Sequence, residues 1–349
     1  MSAIDARPAH SVAARAAVSM GLIAAMLVFG IGVYQAAALF KGAKTDIRRP
    51  TAATTGALPG TMYVVQHGAI YRFDRGSFHQ ITSEDGWMQP AISVDGTRLV
   101  AVKRALNRSD LYVLRTTGQA ILQLTHNQSA TVEANHWAFY PRFGPDGSVV
   151  YFSYDAKDPY NTFRVDLAIF AASAENPAAP GIQWTEPNQY TGGDVSPIPL
   201  QKGGLIFTKF SIDDQSNVHS QVWLQARRGS AGVALTKPAD DCGQPAITAD
   251  ETLLAMVCRH GGLQADDLEV VSLQGATLGV PTVVVQDQLV ASPIFSPDAK
   301  LLAYLAPAGD AGPFQLWTVR VGAAGAPAPR RITSNLDLDP SSPPAWTSP

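Results

Sequence analysis

The chain repeats a unit in which a proline opens a short apolar strand, a tight turn follows, and a second apolar strand comes directly after. Six copies begin at successive prolines, and the last copy is truncated: Pro90, Pro141, Pro197, Pro245, Pro293 and Pro344. Their spacings are 51, 56, 48, 48 and 51 residues. A period of roughly 40 to 50 residues is typical of one four-stranded β-propeller blade. The repeat therefore favours one circular all-β domain over two separate domains.

Each unit is larger than a hairpin. The first two turns, at Asp95-Gly96 and Asp146-Gly147, have the Asp-Gly sequence that supplies positive φ angles to tight hairpins. Three later turns depart from that sequence and are expected to be longer or of another type: Lys202-Gly203-Gly204, Asp250-Glu251 and Asp298-Ala299. A third apolar strand follows in each complete copy, and a more polar fourth segment usually ends in a Leu-Thr or Ile-Thr pair. Four antiparallel strands per unit predict a blade.

The two ends of the repeat region complement each other. Residues Met62 to Thr82 contain strands two, three and four of a blade but no proline strand before them, whereas Pro344 to Thr347 supply a first strand with nothing after it. Pairing these segments would satisfy two open sheet edges at once. The prediction is an all-β, six-bladed propeller of four-stranded antiparallel blades over residues 60–349, closed by the C-terminal strand joining the N-terminal blade.

One sequence pattern resembles a known family. The pattern Pro-x-Phe-Ser-Pro-Asp is intact at Pro293 to Asp298 and nearly intact at Pro141 to Gly147. It is similar to the WD-like repeat of the TolB-type six-bladed propellers, and the resemblance covers residues 60–349. Proteins of this family are often extracytoplasmic and serve mostly as binding platforms. The resemblance implies both properties for this chain.

The N-terminal region divides into a short tail (1–15), an uncharged run (16–40) and a polar, flexible tether (41–59). The run exceeds the roughly 20 residues needed to cross a bilayer, so a transmembrane helix or signal anchor is predicted. A cleaved signal peptide and a buried helix are the alternatives. Flanking charges favour a cytoplasmic propeller, whereas the family resemblance favours an extracytoplasmic one. We expect the propeller to be extracytoplasmic.

Cys242 and Cys258 are the two cysteines of the chain. In a hairpin centred near Asp250 they face each other, as Ile247 and Leu253 also should. Either a disulfide or two small buried thiols would fit this position. A disulfide would favour an oxidising compartment.

Several functional classes have no support in the sequence. A net charge of -3 provides no basic field for nucleic acid, so no nucleic-acid partner is predicted. The chain has no G-x-S-x-G nucleophile motif, no phosphate-binding loop and no dinucleotide fingerprint. Its seven histidines include no pair with zinc-ligand spacing. We therefore predict no catalytic residue, metal or cofactor.

The loops that precede the proline strands are expected to meet at one mouth of the central channel. They contain carboxylates and aromatic side chains, which we predict as ligand- or partner-binding residues: Glu84, Asp85, Trp87, His136, Trp137, Tyr190, Asp194, Asp240, Asp241, Asp337 and Asp339. Aromatic faces and carboxylates together can bind a cation, a basic peptide or a sugar. The other interpretation is that these are turn residues that satisfy local backbone amides.

The predicted function is a membrane-tethered, non-catalytic platform for a protein or peptide partner. The alternative is a propeller enzyme or ligand-binding module that acts on glycans or small molecules through mouth carboxylates such as Asp194 and Asp241. A sensing module coupled through the membrane segment would need another protein to carry the signal. The sequence makes no prediction of oligomeric state.

Overall fold

The computed structural model describes residues 58–157, 163–177, 181–260, 265–309, 312–322 and 328–348. The predicted tail, the predicted membrane segment and nearly all of the tether lie outside the described residues. Among the residues that are described, no helix is long and apolar enough to cross a bilayer.

Six antiparallel sheets follow one another along the chain. Blade 1 contains β1 (Thr61–Gln66), β2 (Ala69–Asp74) and β3 (Ser77–Gln80). Blade 2 contains β4 (Trp87–Ile92), β5 (Arg98–Arg104), β6 (Ser109–Arg115) and β7 (Ala120–Gln123). Blade 3 contains β8 (Ala138–Phe143), β9 (Val149–Tyr154), β10 (Ala168–Ser173) and β11 (Ile182–Gln183). Blade 4 contains β12 (Asp194–Pro199), β13 (Leu205–Ile212), β14 (Val218–Gln225) and β15 (Val233–Ala234).

Blade 5 contains β16 (Cys242–Ile247), β17 (Leu253–Cys258), β18 (Asp266–Gln274), β19 (Thr277–Leu278) and β20 (Thr282–Gln288). Its two last strands both pair with β18, which gives this blade one short strand more than the others. Blade 6 contains β21 (Ala291–Phe295), β22 (Leu301–Pro307), β23 (Phe314–Arg320) and β24 (Arg330–Arg331). The prediction of six antiparallel blades, each built on four strands, is confirmed.

The last strand, β25 (Ala345–Thr347), returns to blade 1 and pairs antiparallel with β1. Met62 lies opposite Trp346, and both side chains are buried in one apolar cluster. The Trp346 indole N–H also donates a hydrogen bond of 2.6 Å to the carbonyl of Pro59. The two ends of the repeat region therefore complete one blade, as the truncated sixth copy predicted.

The Leu-Thr and Ile-Thr pairs have a structural role at the outer edge of each blade. In five blades the threonine Oγ1 accepts the backbone N–H near the start of the third strand, at 2.8–3.0 Å: Thr82, Thr125, Thr185, Thr236 and Thr333. Blade 5 uses strand pairing instead, with Val285 opposite Leu268. The hydroxyl thus satisfies a backbone donor at the point where the short fourth strand ends.

The prediction of different hairpin turns in blades 5 and 6 is wrong. Glu251 (φ 59°) and Ala299 (φ 57°) take the left-handed conformation that Gly96 and Gly147 have in blades 2 and 3. Asp298 accepts a 2.7 Å hydrogen bond from the Ser296 hydroxyl, and equivalent bonds hold the turns of blades 2 and 5. The turn of blade 4, closed by Leu200 and Gly204, is one residue shorter, so it is of another type as predicted. Side-chain bonds therefore maintain the turn where glycine is missing.

The register of the inner hairpins also differs from the simple prediction. Cys242 lies opposite Cys258 as expected, but Ile247 lies opposite Leu254 rather than Leu253. A β-bulge between Gly243 and Ala246 inserts one residue into β16. Five blades have this bulge, and in each the residue before the repeat proline has positive φ: Gln89, Tyr140, Ser196, Gln244 and Ser292.

The left-handed alanine in blade 6 provides a test of these turns. Ala299→Gly should raise the free energy of unfolding by roughly 0.5 to 1 kcal/mol, because relief of the left-handed strain exceeds the added chain entropy of glycine. Gly147→Ala is the matched control, since an added Cβ would meet its nearest atom at an ordinary 3.5 Å. It should lose a similar amount in urea unfolding. Equal destabilisation by both substitutions would contradict this account.

Candidate functional site

Polar side chains connect the innermost strands of neighbouring blades around the propeller axis. Gln89 Oε1 accepts the N–H of Tyr140 at 2.7 Å, and Gln244 Oε1 accepts the N–H of Ser292 at 2.7 Å. The Gln89 N–H donates to the Ser342 hydroxyl at 3.1 Å. We call these five residues the axial belt. The β-bulge rotates the backbone, so that an N–H donor points toward the next blade. In a regular strand this donor would point elsewhere.

Tyr140 is the aromatic member of the axial belt. Burial raises the pKa of its hydroxyl, the negative charge of Asp339 raises it further, and a hydrogen bond with the Gln89 side chain partly offsets this. The sequence analysis included Asp339 but missed Tyr140. Tyr140 directly precedes the repeat proline Pro141, and this position could have identified it.

Two of the predicted mouth carboxylates accept hydrogen bonds from serine backbone and hydroxyl groups. Asp241 accepts the Ser220 N–H at 2.7 Å and the Ser220 hydroxyl at 2.8 Å. Asp339 accepts hydrogen bonds from the Ser341 N–H and from the hydroxyls of Ser341 and Ser342, at 2.7–3.0 Å. Asp339 therefore acts as a turn residue of the second interpretation, whereas Asp241 links its loop to β14.

The remaining loop carboxylates are more open. Asp85 forms an ion pair with Lys103 at 2.5 Å, and Asp240 accepts the N–H of Lys237 at 3.1 Å. Glu84 and Asp337 have exposed side chains. Asp85 and Asp240 therefore each have a local partner, whereas Glu84 and Asp337 are open to solvent.

Asp194 is the first residue of β12 and has no exposed surface. Its Oδ1 lies 3.0 Å from the Lys209 ammonium, and the Thr185 hydroxyl also hydrogen-bonds to it. Burial raises the pKa of Asp194 to about 6, and the attraction of Lys209 offsets only part of that effect. This carboxylate is an internal ion-pair partner and cannot contact a ligand in this conformation.

The predicted aromatic residues differ in exposure. Trp87 is 7% exposed and packs edge-on against Tyr112, with ring centroids 5.5 Å apart. The His136 ring stacks on Tyr154 at 5.3 Å. Trp137 and His136 are partly exposed, whereas Tyr190 is 54% exposed. Tyr190 is thus the most accessible predicted aromatic residue.

The loop that carries Tyr190 is held by an aspartate that the sequence analysis missed. The Asp166 carboxylate accepts three consecutive backbone N–H groups, from Tyr190, Thr191 and Gly192, at 2.9–3.1 Å. Arg164 forms an ion pair with the same carboxylate at 2.9 Å and lies over the Tyr190 ring at 5.3 Å. The exposed tyrosine is therefore fixed in place rather than free to reorient.

A disulfide joins Cys242 to Cys258 across the first two strands of blade 5. His260 Nε2 lies 2.6 Å from Glu269 Oε1, and this hydrogen bond raises the pKa of His260. Cys258, His260 and Glu269 have potential metal-ligand atoms within 4.8 Å of one another. Because the Cys258 sulfur is already bonded, only two of these groups are available as ligands.

Several exposed apolar side chains lie at the end of the propeller where the innermost strands begin, which we call the loop face. Four of them project from loops of blades 2 and 3 and from the loops that follow these blades: Leu106 (97% exposed), Phe163 (72%), Val132 (60%) and Tyr190 (54%). Two surface depressions lie elsewhere. One is lined by Val283, Val284, Val285, Gln286, Gln288 and Pro329, and the other by the turns around Asp95 and Asp146. Neither depression includes a predicted mouth residue.

Comparison with solved structures identifies similar folds. TolB from Acinetobacter baumannii has a TM-score of 0.64 and 17% identity over 84% of this chain and 68% of that chain. A putative TolB from Agrobacterium tumefaciens has a TM-score of 0.57 and 12% identity over 82% of this chain and 94% of that chain. The tricorn protease has a TM-score of 0.58 and 14% identity, but the similarity covers 83% of this chain and only 27% of that one.

No family model and no curated protein matches the chain. At these identities the structural neighbours show the fold alone. The chain is a six-bladed β-propeller with TolB-like structural neighbours, and what it binds has to be argued from its own residues.

Asp194 gives a pH-dependence with a defined sign. Its folded pKa of about 6 exceeds the usual unfolded value, so the native state binds an extra proton between about pH 4 and 6. The stability that this proton contributes is present below about pH 4 and is lost as the pH rises to 6. Relative to Asp194→Asn, the unfolding free energy of the wild type should fall by about 3 kcal/mol over that window.

Urea unfolding at pH 4, 5, 6 and 7 measures this difference. Asp337→Asn is the control, because its side chain is exposed, and its difference from the wild type should not change with pH in this way. A difference between wild type and Asp194→Asn that rises from pH 4 to 6 would contradict the assignment.

The disulfide can be tested independently. It closes a loop with a sequence separation of 16, so the double substitution Cys242→Ala and Cys258→Ala should lower the unfolding free energy by about 3 kcal/mol. Alkylation of the unfolded, unreduced protein should label neither cysteine, and prior reduction should expose both. Labelling without reduction would show that the thiols are free.

Proposed function

We propose that this chain is a non-catalytic binding platform whose loop face contacts a protein or peptide partner, and that residues 16–40 hold it at a membrane. The observation that carries the proposal is the presence of exposed apolar side chains on the loop face, set beside polar groups that are already paired internally. Apolar and aromatic side chains are the groups that contribute most to protein–protein affinity.

The bracing of the loop face supports this function. Asp166 fixes the Tyr190 loop through three backbone hydrogen bonds, so little side-chain or loop entropy is lost when a partner binds. Tyrosine suits such a position because its ring provides a large contact area at the cost of only two rotatable bonds. The preorganised aromatic would form the centre of the interface.

The alternative enzyme has weaker support. Acid and base catalysis would need two carboxylates that a substrate can reach. Asp194 has no exposed surface and is paired with Lys209, and Asp241 holds the Ser220 backbone and hydroxyl. These contacts suit stabilisation of loops rather than proton transfer to a glycan.

An extracytoplasmic position for the propeller is part of the proposal. The bridge between Cys242 and Cys258 supports it, because structural disulfides persist mainly in oxidising compartments.

Site-specific photo-crosslinking in the full-length, membrane-associated protein tests the proposed face. A photoreactive amino acid at position 106 or 163 should give partner adducts at least tenfold more efficiently than one at position 94 or 280. Val94 (68% exposed) and Val280 (88%) are matched controls for Phe163 and Leu106, because they are similarly exposed outside the loop face.

Tyr190→Ala should reduce the adducts at position 163 without lowering the unfolding temperature, since the ring is largely exposed. Adducts that are equally abundant at all four positions, or only at 94 and 280, would move the interface away from the loop face and overturn the proposal.

A further inference from the structure

Arg142 departs from the chemistry of its structural equivalents. It follows the repeat proline of blade 3, and the same position in every other blade is apolar: Ala91, Ile198, Ala246, Ile294 and Ala345. A guanidinium thus replaces a methyl or butyl group on an innermost strand. Packing alone does not require this residue.

The Arg142 guanidinium has no hydrogen-bond or ion-pair partner among the described residues. Other partly buried arginines do have partners: Arg98 donates to the Gly147 carbonyl at 3.0 Å, and Arg259 pairs with Asp266 at 2.9 Å. Burial lowers the pKa of Arg142 to about 10, and no neighbouring charge contributes. A partly buried charge without a protein partner is stabilised further when an anion pairs with it.

The strand register places Arg142 at the interface between blades 3 and 4. It lies opposite Tyr151, whose ring packs with Leu205 and Phe207 of blade 4. Ser153 is two residues further along the same face of β9 and has no exposed surface, yet its hydroxyl lacks a hydrogen-bond partner. Diagonal neighbours in a sheet lie about 7–8 Å apart, within reach of an arginine side chain. Two unused donors therefore face the same interface.

No side-chain hydrogen bond of the axial belt crosses the interface between blades 3 and 4. Bonds from the residue before the repeat proline, or from its hydroxyl, link blades 1 and 2, 2 and 3, 4 and 5, 5 and 6, and 6 and 1. Among the described residues, Ser196 of blade 4 makes no equivalent side-chain bond to blade 3. Arg142 also keeps partial contact with solvent. A small ligand group can therefore approach it from the axis.

We propose that Arg142 forms a carboxylate-binding site at the axial end of the interface between blades 3 and 4. The planar guanidinium matches a carboxylate in a two-point arrangement, whereas the Ser153 hydroxyl has no exposed surface and is not a direct ligand in this conformation. The carboxylate comes either from a peptide partner, as its C-terminus or an acidic side chain, or from a free small acid. Only the peptide source rests on the proposed function.

Acetate is the first probe, because it supplies the carboxylate alone. Thermal unfolding of the full chain is followed while acetate replaces chloride at constant ionic strength. The wild-type midpoint should rise with acetate as mass action requires, and Arg142→Met should lose at least tenfold in apparent affinity. Arg142→Met should also unfold at a higher temperature than the wild type without acetate, because the unpaired charge is removed.

Two further variants keep the test independent of folding defects. Ser153→Ala should leave both acetate binding and the unliganded midpoint near those of the wild type, because its hydroxyl is enclosed. Arg98→Met is the matched control, since its guanidinium already donates to the Gly147 carbonyl, and it should bind acetate like the wild type. No acetate-dependent shift in the wild type, or an equal shift in Arg142→Met, would overturn the site.

Peptides then distinguish the sources of the carboxylate. Short peptides of one sequence are compared as the free acid, as the C-terminal amide and as the amide with one internal aspartate. Arg142-dependent binding of the free acid alone identifies a C-terminus, and binding of the aspartate peptide identifies a side chain. Acetate binding without peptide binding supports a site for a small acid. It overturns the peptide source, and loop-face crosslinking still decides the proposed function separately.

Discussion

The pairing of β25 with β1 is the interaction on which the rest of the molecule depends. Six twisted sheets around an axis form a ring only if the first and last are joined, and the Met62 and Trp346 pair buries that junction. Closure extends beyond the strand, because the Asp339 N–H donates to the Val65 carbonyl at 3.0 Å. That bond positions Asp339 and the following serine turn against the axis. The strand pairing that closes the ring therefore also positions the polar residues at the axis.

The repeat made the blades predictable, because its period and its alternating apolar strands recur in phase. What the sequence did not disclose was the conformation of single residues within each copy. Gln244 precedes a proline and has positive φ, which its residue type alone would not suggest. Ala299 is left-handed because Asp298 and Ser296 fix the turn around it. Both conformations are imposed by hydrogen bonds to neighbouring groups, and local propensity does not encode such bonds.

The predicted site residues were identified by their place in the loops, but their accessibility was not predictable. Trp87 and Asp194 are the first residues of β4 and β12, so their side chains turn toward neighbouring strands rather than toward solvent. A shift of one residue in a predicted strand boundary changes whether a side chain is expected at the surface, where it can bind a ligand, or in the core. Arg142 escaped notice for the opposite reason, because it lies within an apolar strand pattern. It stands out because its guanidinium has no hydrogen-bond or ion-pair partner among the described residues, and only the structure shows this.

At one position, three residues before the repeat proline, the side chains differ in chemistry from blade to blade while the backbone fold stays the same. There the same cross-strand site holds a cation–π contact between Trp87 and Lys103, an ion pair between Asp194 and Lys209, and a disulfide in blade 5. The hairpin turns, the threonine bonds and the axial belt recur from blade to blade, so this site is free to vary without loss of the ring. Blades that share a backbone can therefore differ in charge, redox chemistry and burial at the end where the innermost strands begin. A propeller of this kind acquires a specific surface by changing single side chains at repeated positions. Arg142 is such a change, four residues further along an innermost strand.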